Sequence, residues 1–322
     1  MNSPPGIYGV QYETLPDRLD HFAGNRHREL QRIARILFDE FDDAQKGKLS
    51  AKNKGGRILK LALFGPYAGP YTEGDGGGKG GDHPGYNLLV VVSTKTFATP
   101  RFWNNAAERF LRELTVTGHL ATPVNFIVHS IMDLNDRLAH GRPFFVDIVR
   151  SGFMLYEAPG FPLVEPGLLD PRATRAEVRD AFDHWFSSAT RRFELAKEAI
   201  RRGYGREAAF DLHQAVERLY HCILHVLTLY SPKSHRLAIL RAHAERVAPL
   251  LTTVWPNDSR FARQCFARLG RAYVEARYSP CYKLTDEELA WLTERAEALR
   301  KTVDAICSTH LGVTTRAVKN LR

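Results

Sequence analysis

The chain has 322 residues, 44% of them hydrophobic and 25% charged, with a formal net charge of +9 at pH 7. That length allows two domains, and the composition is that of a globular protein able to bury real cores, which excludes a disordered or fibrous chain. No apolar run reaches the roughly 18 residues of a membrane-spanning helix, and the start, MNSPPGIYGVQYETLPDRLDHF, lacks a basic-then-apolar signal pattern, so no membrane contact and a cytoplasmic location are expected.

Residues 1–24 are punctuated by Pro and Gly and read as a loosely held segment. A helix is expected from Arg26 to Asp43, with Leu30, Ile33, Ala34, Leu37 and Phe41 on one face. A basic connector, Gln45–Arg57, then leads to two short apolar runs, Leu59–Phe64 and Leu88–Val92, which read as buried strands. The loop between them is rich in Gly and carries Asp75, Lys79, Asp82 and His83. A second helix is expected over Pro100–Leu114, with Phe102, Ala106, Phe110 and Leu114 aligned. In Pro123–Ser130, Val124, Phe126 and Val128 alternate with Asn125, Ile127 and His129 as in a strand. A helix near Asp133–His140 follows, and Pro143–Tyr156 reads as a short helix entering a closing strand, with Asp147 in a structural place.

Four prolines, Pro159, Pro162, Pro166 and Pro171, mark Glu157–Arg172 as a linker. Everything after it reads as helix. Thr174 with Glu177 has the spacing of a capping box that opens a helix to Arg202, ended by Gly203 and Gly205. Further helices are expected over Arg206–Tyr230, His235–Val247 and Ser259–Tyr278. A second capping box, Thr285 with Glu288, opens a last helix to His310, ahead of a basic tail over Thr314–Arg322. The pattern is an up-down bundle. The four cysteines, Cys222, Cys265, Cys281 and Cys307, show no CxxC spacing and read as reduced, mostly buried thiols.

The stretch LFGPYAG followed by GYNLLVVV resembles the active-site hairpin of minimal nucleotidyltransferases, whose pattern is LFGSYARG, a variable loop and SDxDLLV. Gly65, Tyr67 and Ala68 match, Pro66 stands where Ser belongs and Gly69 replaces Arg. Gly85 and Asn87 stand at the two metal-binding carboxylates, around Tyr86. In that fold a neighbouring strand brings a third carboxylate, and Asn125 is the candidate for its place. Mg²⁺ asks for anionic oxygen ligands, and Gly85, Asn87 and Asn125 supply none. Pro66 has no N–H for a phosphate. The expectation is a degenerate domain that at most binds a ligand through Gly65, Tyr67 and Asp82. The alternative is an active enzyme using Mg²⁺ and an NTP, with Asp75 or Asp82 as the substitute carboxylate.

The segments AAFDLHQAVERLYHCILHVLTLYSPKSHRLAIL (Ala208–Leu240) and YVEARYSPCYKLTDEELAWL (Tyr273–Leu292) resemble the HEPN domain, a helical module often fused to minimal nucleotidyltransferases. The resemblance implies an α+β nucleotidyltransferase-like domain at 25–157, a linker at 158–171, an all-α HEPN-like bundle at 172–312 and a tail at 313–322. It also implies a nucleotide or RNA partner, a regulatory or toxin–antitoxin-like role, and pairing into a homo-oligomer.

On the second helix of the bundle, His213, Glu217, Tyr220 and His221 fall near one side, while Leu212, Val216, Leu219, Ile223 and Val226 face the core. With Lys233, His235, Arg277 and Tyr278, the polar groups fit a pocket for phosphates and a stacked base. His213 and Glu217 fit equally a hydrogen-bonded core network. A zinc site from His213, Glu217, His221 and His225 is disfavoured, because each four-residue step rotates about 40°. Some HEPN domains are ribonucleases marked by Arg, four to six residues, then His. Arg112/His119, Arg179/His184, Arg206/His213, Arg218/His225 and Arg236/His243 match, and so many matches in an Arg-rich chain make the pattern weak. The net charge is consistent with nucleic-acid contact or with a solvated face.

Overall fold

A computed structural model describes Phe22 and residues 24–46, 54–68 and 85–319, the last seven as backbone alone. The Gly-rich loop with Asp75, Lys79, Asp82 and His83 lies outside the described residues, so the substitute-carboxylate alternative has no structural description. The chain divides into two compact units, residues 1–141 with 145–168, and residues 142–144 with 169–322.

In the first unit, helix α1 (Gly24–Gln45) buries Leu30, Ile33, Ala34, Leu37 and Phe41, the face read from periodicity. Strands β1 (Ile58–Phe64) and β2 (Tyr86–Val92) are buried along their whole length, as continuous apolar runs require. They pair antiparallel. Helix α2 (Asn104–Thr115) crosses over to β3 (Val124–Ser130), which lies parallel to β2. Helices α3 (Ile131–Ala139) and α4 (Pro143–Ser151) lead to β4 (Phe153–Glu157), antiparallel to β1. The sheet order is β3-β2-β1-β4. This is a small mixed sheet with helices, an α+β arrangement. Lys60 is buried within β1 and ion-pairs with Glu157 directly across the register. A buried ammonium needs such a partner.

The expected helix over Pro100–Leu114 is split. Pro100–Phe102 is a 3-10 turn, and α2 begins after Trp103. Glu113, not Leu114, is the buried residue at its end, because Arg32 reaches across from α1 and holds the Glu113 carboxylate through two bonds of 2.6 and 3.0 Å. Those guanidinium bonds keep that carboxyl below its ordinary range.

The second unit is a helical bundle of α5 (Pro171–Arg201), α6 (Gly205–Thr228), α7 (Leu237–Val247), α8 (Arg260–Tyr278) and α9 (Asp286–Lys319). Helix α6 is its axis, buried nearly all round, which is the signature of a central helix. Leu212, Val216, Leu219 and Ile223 pack with Phe193 of α5, Leu240 of α7, Leu269 of α8 and Leu299 of α9.

Three boundaries differ from the expected ones. Helix α5 starts one turn before the Thr174–Glu177 box, because Asp170 caps it, accepting from Arg172 N at 2.8 Å and Ala173 N at 3.3 Å, with Pro171 in the first turn. Helix α6 stops at Thr228, where Leu229 turns left-handed at φ 55°, ahead of Ser231–Pro232. Helix α9 continues to Lys319 instead of ending at His310. The second capping box forms as read: Thr285 N donates to Glu288 Oε2 at 2.8 Å and Glu288 N to Thr285 Oγ1 at 3.2 Å.

Candidate functional site

The polar residues of α6 separate into a buried network and an exposed tier. His213 is fully buried, and Glu217 and His221 nearly so. Burial pushes the pKa of His213 and of His221 down to about 4, so both rings are neutral near pH 7. His213 donates through Nε2 to the His235 carbonyl at 3.2 Å and accepts the Gln214 amide at Nδ1 at 3.4 Å. A neutral ring has one N–H, so the 3.6 Å approach of Nδ1 to Glu217 is a contact and not an ion pair. Glu217 Oε2 takes the Gln214 amide at 2.9 Å, and Oε1 takes His235 Nδ1 at 3.0 Å. His221 Nδ1 bonds the Ser231 hydroxyl at 2.6 Å, and its ring lies 4.9 Å from Trp185.

His235 joins this network to the surface. Its side chain keeps 58% exposure while its Nδ1 is anchored on the buried Glu217. Its ring stacks on Tyr273 of α8 at 4.4 Å and 8°. The Arg277 guanidinium also sits over Tyr273, at 4.3 Å, a cation–π contact, and Arg277 Nε bonds the Tyr273 carbonyl at 2.6 Å. Tyr278 is 74% exposed beside Arg277, at 5.1 Å, and Lys233 is exposed in the loop before α7. The structure therefore brings Glu217, His235, Arg277 and Tyr278 into one neighbourhood. It assigns His213 and His221 to the core network, where desolvation leaves them uncharged and unable to act as phosphate-holding cations. Tyr220 is fully buried and faces the core.

Tyr273, Gln214 and Ser231 belong to this site and were not singled out from sequence. Tyr273 stands four residues before Arg277 on one helix, a spacing that sets two side chains side by side. Ser231 carried no such signal. Among the Arg/His pairs, Arg218 is engaged with Gln214 Oε1 at 2.6 Å and Ser188 at 2.9 Å, while His225 stacks on Trp185 at 5.8 Å. His243 is buried, with its pKa pushed down to about 4. Among the described residues no group of His, Cys, Asp and Glu is arranged to hold a metal.

In the first unit, Asn87 and Asn125 stand opposite each other in register on β2 and β3. Asn125 Nδ2 reaches Asn87 Oδ1 at 3.5 Å, and Asn87 Nδ2 donates to the Gly85 carbonyl at 3.2 Å. A Cβ placed on Gly85 would lie 2.7 Å from the Pro123 carbonyl oxygen and 2.8 Å from Asn125 Nδ2. A carboxylate cannot enter there without moving the start of β3. Gly65 turns at φ 82°, Pro66 is exposed, and Tyr67 packs at 4.8 Å on Tyr86. An amide pair and a glycine do not fit Mg²⁺, which takes hard anionic oxygens.

Residues 182–306 match the family model described as HEPN domain. The match takes in both C-terminal segments that carry the resemblance and does not extend to the β1–β2 hairpin. No curated protein matches the chain.

Proposed function

We propose that the helical domain binds single-stranded RNA on the face formed by Lys233, His235, Tyr273, Arg277 and Tyr278, and that the N-terminal domain does not transfer nucleotides. The observation that carries this reading is the stack of His235 and Arg277 against Tyr273, fixed from beneath by Glu217. It sets the Arg277 guanidinium beside the exposed ring of Tyr278, the pairing that holds phosphates and a base together. These side chains stand on an exposed face, which suits a strand of nucleotides. The HEPN match supports a nucleotide- or RNA-related role for this domain.

The Asn87–Asn125 amide pair and the crowded Gly85 support the non-catalytic reading of the N-terminal domain. His243 of the Arg236/His243 match is buried and His225 of the Arg218/His225 match is stacked on Trp185, so neither is placed as the accessible acid–base histidine of a ribonuclease. The protein thus acts as a regulator that binds RNA.

Fluorescence anisotropy with a labelled single-stranded RNA tests the reading. Tyr278→Ala is expected to weaken binding by the roughly 1–3 kcal/mol of one stacked base. Unchanged affinity in both Tyr278→Ala and His235→Ala removes the site.

A further inference from the structure

The polar network on α6 has a direction, because its two ends are chemically one-sided. At one end stands Arg218, whose guanidinium only donates. It gives hydrogen bonds to Gln214 Oε1 at 2.6 Å and to Ser188 Oγ at 2.9 Å. The first of these fixes which way round the Gln214 amide lies. Its N–H groups therefore face Glu217 Oε2 at 2.9 Å and His213 Nδ1 at 3.4 Å. His213 thus carries its proton on Nε2 and donates it to the His235 carbonyl at 3.2 Å.

At the other end stands Glu217, a carboxylate that only accepts. Its Oε2 takes the Gln214 amide, and its Oε1 lies 3.0 Å from His235 Nδ1. The proton of that contact therefore sits on His235 Nδ1. The hydrogen bond at one ring nitrogen of a histidine decides the role of the other. With Nδ1 protonated, a neutral His235 ring has its lone pair on Nε2. The ring is held against Tyr273 at 4.4 Å and 8°, its backbone carbonyl is held by His213, and its side chain keeps 58% exposure. The face thus carries an acceptor at His235 and, on the same Tyr273 ring, a group that only donates, Arg277.

A phosphodiester has no proton to give, so an accepting nitrogen gains nothing from the phosphate that Arg277 suits. In a nucleotide strand the sugar joins phosphate to base, and ribose carries a donor there, the 2′-hydroxyl, which deoxyribose lacks. We infer that His235 Nε2 accepts the ribose 2′-hydroxyl and makes this face selective for RNA over DNA, with Glu217 as the positioning residue that holds the ring in its accepting tautomer. The inference rests on the RNA-binding reading of this face and adds the atom that tells the two nucleic acids apart.

Fluorescence anisotropy of the full chain at pH 8.5, above the ordinary imidazole range, tests it with RNA, DNA and 2′-O-methyl RNA of one sequence. RNA is expected to bind about fivefold more tightly than either other strand, the worth of one hydrogen bond, because a 2′-O-methyl oxygen cannot donate. His235→Ala, at an exposed position, should bind all three alike. Glu217→Gln should reverse the ring. Gln214 still requires an oxygen, so the new amide nitrogen faces His235 and the imidazole proton moves to Nε2. Long-range proton–nitrogen NMR of the imidazole reads that move, and the 2′-O-methyl strand, an acceptor, should then close its gap to RNA. A wild-type His235 ring protonated on Nε2, or left unchanged by Glu217→Gln, overturns the inference. Equal affinity for RNA and DNA, or an RNA preference that survives His235→Ala, overturns it as well. Cleavage of the RNA strand by the wild type and not by His235→Ala overturns it by making the ring a catalytic base. Binding to none of the strands removes the RNA face itself and the inference with it.

Discussion

Lowering the pH from 7.5 to 5 will strip stability from the helical domain through its buried histidines. His213, His221 and His243 are pushed down to about 4 by burial, against 6.5 for an exposed imidazole. The unfolded chain takes up these protons first, so the stabilisation is complete above about pH 6.5 and is lost as the pH falls toward 4. At pH 5 each ring costs about 2 kcal/mol relative to pH 7.5, and the three together cost about 6 kcal/mol. That is comparable to the whole stability of a typical domain, about 5–15 kcal/mol. Burial also holds His225 and His310 below their ordinary value, which acts in the same direction. Urea unfolding of the full chain, followed by far-UV circular dichroism at a series of pH values, reads the slope. His243→Leu removes one of the three protons and should flatten the slope by about a third. A free energy independent of pH between 7.5 and 5, or a slope unchanged in His243→Leu, refutes the reasoning.

Gly85→Ala places a Cβ against the Pro123 carbonyl and should cost about 1–3 kcal/mol, the penalty for overpacking. An unshifted melting temperature would show that β3 yields freely and that a carboxylate has room there. Asp170→Ala should cost about 1 kcal/mol as the cap of α5 is lost, whereas Thr174→Ala, inside that helix, should be near neutral. Equal losses in urea titrations of the two variants would return the helix start to Thr174.

Much of the architecture is legible in periodicity. The apolar face of α1, the two buried strands and the Thr285–Glu288 box follow from local spacing, which the folded chain obeys. The departures arise where a distant or competing contact decides. Arg32 reaches Glu113 from 81 positions away and buries it in place of Leu114. Asp170 and Pro171 outcompete a well-formed capping pattern one turn later because they come first and satisfy the leading amides. Leu229 adopts a left-handed conformation more typical of glycine, which nothing in its identity announces.

The site shows the same division. Spacing groups His213, Glu217 and His221 on α6, and spacing alone cannot tell a buried ring from an exposed one. Desolvation makes that distinction, sending His213 and His221 to the core and leaving His235 at the surface.

The central claim is that the His235–Tyr273–Arg277 tier is a phosphate and base contact. The salt dependence of RNA binding tests it most directly. Each phosphate contact contributes a slope of about −0.7 in log K against log salt for a single strand. The full chain should bind RNA with a negative slope that becomes shallower by about one such contact in Arg277→Gln, together with a loss of affinity. An identical slope and affinity in the variant would contradict the account and leave the tier as packing between α8 and the loop before α7.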